Sequence, residues 1–182
     1  MYHREKLAEL IKQDALQFGD FTLASGKKAN YYLDCRKITL DGEGANLIAA
    51  GVLDILADDL PDCVGGMAIG ADPMTGAVIT CGWQRGVPLK GFIVRKEAKQ
   101  HGTGKQLEGP VVAGQRGVML EDVITTGGSS LRAIELARDY GLTIDRIIAI
   151  VDRGERSAEV FAEVGVRFHS LFHVNELVAP SA

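Results

Sequence analysis

Between positions 121 and 130 the chain places two carboxylates, Glu121 and Asp122, then Val123 and Ile124, then Thr125, Thr126, Gly127, Gly128, Ser129 and Ser130. Glycines let a backbone approach an anion closely, and free N–H groups at a helix start point at it. The hydroxyls of Thr125, Thr126 and Ser129 can donate to phosphate oxygens. Glu121 and Asp122 would repel a phosphate, so they are expected to face something else. Vicinal ribose hydroxyls, which donate to carboxylates, are the natural partner. The segment is therefore a candidate cradle for a phosphorylated sugar. No Lys-Ser or Lys-Thr follows the glycines, which excludes a Walker A loop. An Asp-capped strand-to-helix turn would use the same residue types. The order acid, acid, two apolar, two Thr, two Gly is more restrictive than a turn requires.

The elements that must hold this cradle follow from periodicity. Val118, Met119 and Leu120 form a short apolar run, as in a strand buried on both faces, and Leu131, Ile134 and Leu136 follow at helical spacing. Further strands are predicted over 64–69, 89–94, 144–151 and 166–171, and helices over 73–83 and 156–163. A long helix opens at Asp41-Gly-Glu-Gly and carries Leu47, Ile48, Val52, Ile55 and Leu56. Alternating strands and helices imply an α/β fold, a mostly parallel open sheet with helices on both faces. Residues 4–18 read as an amphipathic helix through Leu7, Leu10, Ile11 and Leu16. Strand-like pieces at 21–23 and 31–33 flank a turn at 25–28. These first 40 residues break the alternation and are expected to form a small N-terminal helix and hood. With no repeat or linker in sight, 1–182 reads as a single domain, its α/β core at 41–182.

In open sheets of this kind ligands bind beyond the carboxyl ends of the strands, and three such exits stand out. Ile69-Gly70-Ala71-Asp72-Pro73 carries a helix-start signal and, beside the central motif, could hold a pyrophosphate through backbone N–H groups. The run from Arg95 and Lys96 through Lys99 and His101 to Lys105 concentrates positive charge in an acidic chain. It reads as a solvated loop and equally as a lid whose cations close on a pyrophosphate. Asp152-Arg153-Gly154-Glu155 puts an arginine at a strand exit, suited to a planar carboxylate or carbonyl edge. Taken alone, that arginine would read as a surface ion pair.

Composition narrows the rest. A formal net charge of −4 gives no footing for a nucleic-acid partner, so any anion site has to be a local cluster. Three cysteines, Cys35, Cys63 and Cys81, without a Cys-x-x-Cys pair, fit reduced thiols better than a disulfide frame or zinc site. A charged N-terminus without an apolar core, and no run of membrane-spanning length, make a cytoplasmic location the expectation.

The central motif resembles the phosphoribosyl-pyrophosphate (PRPP) motif of type I phosphoribosyltransferases. Phe21-Thr-Leu-Ala-Ser-Gly-Lys-Lys-Ala-Asn-Tyr-Tyr-Leu-Asp is similar to the hood signature of orotate phosphoribosyltransferases, and Arg95-Lys-Glu-Ala-Lys-Gln-His-Gly to their catalytic loop. That resemblance implies orotate + PRPP → orotidine 5′-monophosphate + pyrophosphate with Mg²⁺, carried mainly by the substrate, in a homodimer. It further implies that Glu121 and Asp122 bind the ribose hydroxyls and residues 123–129 the 5′-phosphate. Thr125, Arg153, Tyr31 and Tyr32 would meet orotate. Arg95, Lys96, Lys99 and His101 would meet the pyrophosphate, Lys99 in the neighbouring subunit's site; Lys99 and Asp122 are the catalytic candidates. Two positions depart from the family pattern: Ala24 and Gly70 stand where many members have lysine. Lys27 or Lys28 could compensate for Ala24. A purine or other base phosphoribosyltransferase, or a PRPP-sensing regulator on the same fold, remain the competing readings.

Overall fold

The computed structural model describes residues 2–22, 28–97, 106–154 and 156–178. The chain opens with α1 (Arg4–Leu10), which runs into a π-helical turn (Ile11–Ala15) and then into an antiparallel hairpin of β1 (Leu16–Thr22) and β2 (Lys28–Leu33). A short α2 (Arg36–Thr39) leads to α3 (Gly42–Leu56). Asp41 caps α3, its Oδ1 accepting from the N–H groups of Glu43 at 3.0 Å and Gly44 at 2.9 Å. Then come β3 (Cys63–Met67), α4 (Ala71–Gln84), β4 (Lys90–Val94) and β5 (Leu107–Glu108). The chain finishes with β6 (Arg116–Ile124), α5 (Gly128–Tyr140), β7 (Thr143–Asp152), α6 (Ser157–Ala162), β8 (Arg167–His173) and α7 (Val174–Val178).

Six strands form one sheet in the order β5-β4-β3-β6-β7-β8, parallel throughout except for β5. From β3 the chain steps outward to β4, then returns to the other side of β3 as β6. This reversal opens a crevice at the carboxyl ends of β3 and β6, the place where a doubly wound sheet takes its ligand. Side-chain alternation along the strands divides the core into two layers. Val118, Leu120, Ile148 and Ile150 pack with α1, α3 and α4, while Met119, Ile147 and Ala149 pack with α5 and α6. Strands buried on both faces read as continuous apolar runs, which is why they were visible in the sequence.

The structure moves several boundaries. The first helix was expected to reach position 18, but Leu16 already pairs with Leu33 across the hairpin. One leucine at helical spacing cannot separate a helix end from a strand start. β3 stops at Met67, ahead of the cis Ala68–Ile69 peptide, and α4 begins at Ala71, so Pro73 sits in its first turn where no N–H is needed. Most consequential for function, β6 does not leave the sheet before Glu121. It runs on to Ile124 because β7 continues beside it, Val123 facing Val151 and Ile124 facing Asp152. The acidic pair is thus part of a strand, and its two side chains point to opposite faces. α2, β5 and α7 were not foreseen.

Candidate active site

A cavity of about 990 Å³ opens at the carboxyl ends of β3, β4 and β6, at the upper end of the range for a small-molecule site. Its wall brings together Tyr32, Arg95, Lys96, Glu121, Asp122, Val123, Thr125, Ser129 and Arg153, residues spread over more than a hundred positions. Lys99, His101, Ala24 and Lys27 lie outside the described residues. Lys28 borders a second hollow of about 600 Å³ with Asp20, Phe21, Ala29 and Asn30, away from the main cavity.

The acidic pair divides its labour along the alternation of β6. Glu121 is buried, and its Oε2 accepts from the hydroxyl of Ser130 at 2.7 Å. Burial pushes the Glu121 carboxyl well above the ordinary carboxylate range, the Ser130 bond partly opposing the shift and the charge of Asp122 adding to it. Asp122 is more open, and its Oδ1 accepts from the N–H of Val123 at 2.8 Å. On the other side of Asp122 is Gly70. A Cβ at Gly70 would stand 2.8 Å from Asp122 Oδ1, so the carboxylate occupies the space a side chain there would claim. Ser130 was placed in the segment but given no role, since its partner Glu121 lies nine residues earlier.

The hydroxyl-and-glycine loop turns as expected. Gly127 takes φ 77°, the left-handed region that favours glycine, and a Cβ there would press on Phe161 at 3.1 Å. α5 then starts at Gly128, so its first free N–H groups border the loop of Thr125, Thr126 and Ser129. Ile124 is buried in the core and offers no side chain to a ligand. Its carbonyl accepts from the N–H of Arg153 at 2.7 Å. Behind Arg153, Asp152 Oδ1 accepts from the N–H of Gly154 at 2.9 Å and from Ser157 Oγ at 2.6 Å. A Cβ at Gly154 would meet Ser157 Oγ at 2.2 Å and the Thr125 carbonyl at 2.6 Å. The arginine's turn is therefore fastened directly to the phosphate loop.

Tyr31 and Tyr32 take different places. The Tyr31 ring lies under Arg153, the guanidinium carbon 4.8 Å from the ring centroid, while Tyr32 lines the cavity itself. Arg153 Nε is buried with no hydrogen-bond partner among the described residues, and so is Asp72 Oδ1, whose carboxyl is raised by burial. Beyond β4, Arg95 faces Glu108 at 3.8 Å, and Gln106 Nε2 donates to the carbonyls of Arg95 and Lys96. Arg36, on no predicted site, also lines the cavity. Among the described lining residues four cations (Arg36, Arg95, Lys96, Arg153) stand against six carboxylates (Asp34, Asp72, Glu97, Glu108, Glu121, Asp122). A polyanion would need further positive charge here.

No protein-family model matches the chain. Its sequence is 49% identical over 176 residues to the orotate phosphoribosyltransferase of Rhodopirellula baltica, covering 93% of this chain and 91% of that one. This chain belongs to the orotate phosphoribosyltransferases. The crystal structure of the Mycobacterium tuberculosis orotate phosphoribosyltransferase with Fe(III) dicitrate has the same fold, at TM-score 0.86 and 36% identity over 97% of this chain and 99% of that one. Another structure of the M. tuberculosis enzyme, in complex with PRPP, matches at TM-score 0.83 and 33% identity, covering 97% and 99%. In this orotate phosphoribosyltransferase Tyr32, Glu121, Asp122, Val123, Thr125, Ser129 and Arg153 line one crevice beside β6.

Proposed function

We infer that the protein transfers the 5-phosphoribosyl group of PRPP to N1 of orotate, giving orotidine 5′-monophosphate and pyrophosphate in pyrimidine biosynthesis. The observation that carries this reading is the single cavity in which Asp122, the 125–129 loop, Arg153 and the hood's Tyr32 meet. Asp122, with Glu121 behind it, accepts from the ribose hydroxyls. The loop hydroxyls and the first N–H groups of α5 take the 5′-phosphate. Arg153, steadied by Tyr31, offers its free N–H groups to the polar edge of orotate. Arg95 and Lys96, joined by Lys99 and His101, close on the pyrophosphate and exclude water.

As the C1–O bond breaks, its electron pair leaves with pyrophosphate, and N1 of orotate bonds to C1 and releases its proton to the departing pyrophosphate or to solvent, through a transition state with oxocarbenium character. No side-chain nucleophile is required, so catalysis rests on positioning and on neutralising the leaving group. Among the described residues no cluster of three or more His, Cys, Asp or Glu could hold a metal. Asp72 and Asp122 are open to the cavity, which fits a Mg²⁺ that stays mostly with substrate phosphates and water. When bound, it supplies positive charge to the departing pyrophosphate. The assembly in this reading is a cytoplasmic homodimer, one domain per chain, each lid serving the partner's site; neither nucleic acid nor membrane is involved.

Ultraviolet absorbance with PRPP and Mg²⁺ tests the substrate. Orotate should be consumed and adenine, guanine and uracil left unchanged. Turnover of a purine base with orotate untouched would overturn the reading.

A further inference from the structure

Arg36 stands on the hood side of the cavity, at the start of α2. Its guanidinium is not loose. Nε donates to Asp34 Oδ1 at 2.8 Å and Nη2 to Asp34 Oδ2 at 2.9 Å, a two-bond fork, while the Arg36 N–H also reaches Oδ1 at 3.1 Å. Asp34 is itself anchored, its N–H donating to the Ala15 carbonyl at 3.0 Å. The fork uses two of the five guanidinium N–H donors, so the others remain for a ligand. Arg36 therefore enters the cavity already oriented, at little further entropic cost on binding.

Its position says which ligand. The hood segment that carries Arg36 also puts Tyr31 under Arg153, so Arg36 shares a wall with the residue assigned to the base. Arg95 and Lys96 emerge from β4 at the opposite side of the β3–β6 crevice and suit the pyrophosphate. Orotate carries a carboxylate beside its reacting nitrogen, as well as the polar carbonyl edge that Arg153 takes. A planar carboxylate is matched by a second, pre-oriented guanidinium. Resting on the transferase reading above, we propose that Arg36 binds the orotate carboxylate, with Asp34 as its positioning residue. Arg36 is also the group that separates orotate from uracil, which lacks the carboxylate.

Steady-state kinetics of the full chain with Arg36→Gln, Arg36→Lys and Asp34→Asn test this. Wild-type turnover of orotate comes first, because its absence removes the transferase reading itself. With that turnover in hand, Arg36→Gln should raise the orotate KM at least tenfold and leave the PRPP KM within twofold. Asp34→Asn, which keeps the cation but frees it, should raise the orotate KM by a smaller factor, and Arg36→Lys should fall between. Melting temperatures should stay near wild type in all three. An unchanged orotate KM, or a PRPP KM that rises equally, overturns the assignment. Equal loss of Tm in Arg36→Gln and Asp34→Asn with both KM values intact would reduce the pair to a turn-closing contact.

Discussion

The two ends of the central sheet handle charge in opposite ways. At the amino ends of β6, β7 and β8, Asp59 gathers the guanidinium groups of Arg116, Arg146 and Arg167, and Arg167 also reaches Asp145 at 2.9 Å. The Asp59 carboxyl is held below its ordinary range by hydrogen bonds from Arg167 and Arg116. Among the described residues Arg146 Nε and Asp145 Oδ1 lack a hydrogen-bond partner there, but other atoms of both side chains join the network. At the carboxyl ends, Asp122, Asp72 and Arg153 face a cavity, and among the described lining residues the carboxylates outnumber the cations. Ion pairs closed within a fold clamp it; charges left open at a strand exit wait for a ligand. The contrast separates structural from functional charge better than residue type does, since both ends use Asp and Arg.

Truncating the open end should give the largest effects. Arg153→Ala removes a fork from the pyrimidine, and its orotate KM should rise far more than its PRPP KM. About 2–5 kcal/mol is expected from truncated charge pairs in interfaces. Equal effects on the two substrates would make Arg153 an internal ion pair after all. Next, Asp122→Asn should weaken Mg²⁺-PRPP binding in isothermal titration by about 1.5–3 kcal/mol, the worth of a charged hydrogen bond, with Tm unchanged. Asp59→Asn should do the reverse, lowering Tm and sparing both KM values. If the two variants behave alike, the distinction between the ends collapses.

Sharing of the lid between subunits can be tested by mixing variants. Lys99→Ala and Arg153→Ala should each be crippled alone. Co-refolding them in equal amounts gives hybrid dimers in half the population, each with one whole site if lids are exchanged. Roughly a quarter of wild-type activity should then return. Proven subunit exchange without recovery would place each lid over its own site. A smaller effect belongs to Tyr31→Leu, which removes the ring beneath Arg153. The orotate KM should climb by about 0.5–2 kcal/mol, the range for a cation–π contact, with the PRPP KM unmoved.

The smallest effect is on proton linkage. Burial raises the Glu121 pKa in the fold, so the folded chain keeps a proton that the unfolded chain has released. That stability is present below the ordinary carboxylate pKa and is lost as pH rises toward the raised value. In the ligand-free protein Glu121→Gln should therefore gain Tm over wild type at pH 8 but not at pH 5, by about 2–4 °C per kcal/mol. A constant difference at both pH values would refute the buried charge. Ribose hydroxyls prefer the ionised carboxylate, so PRPP affinity should rise with pH over the same window.

How much of this was legible in the sequence follows from which contacts are local. The cradle at 121–129 was readable because acid, hydroxyl and glycine are contiguous, and the parallel sheet because β6 and β7 are apolar runs. Arg36 was overlooked because its meaning comes from Asp34 holding it beside residues met a hundred positions later. Ser130 stands in the motif segment, but its bond to Glu121 nine residues earlier is set by the fold and not by spacing. The Asp59 hub joins positions 59, 116, 146 and 167, a set no spacing rule could collect. The Tyr31–Arg153 contact was not legible either, since it joins positions as distant as 31 and 153.

Gly70 couples two strand exits. The Asp122 carboxylate fills the volume a side chain at 70 would enter, so any larger residue there moves the tip of that carboxylate before it meets anything else. A change made just after β3 is thereby felt first on β6.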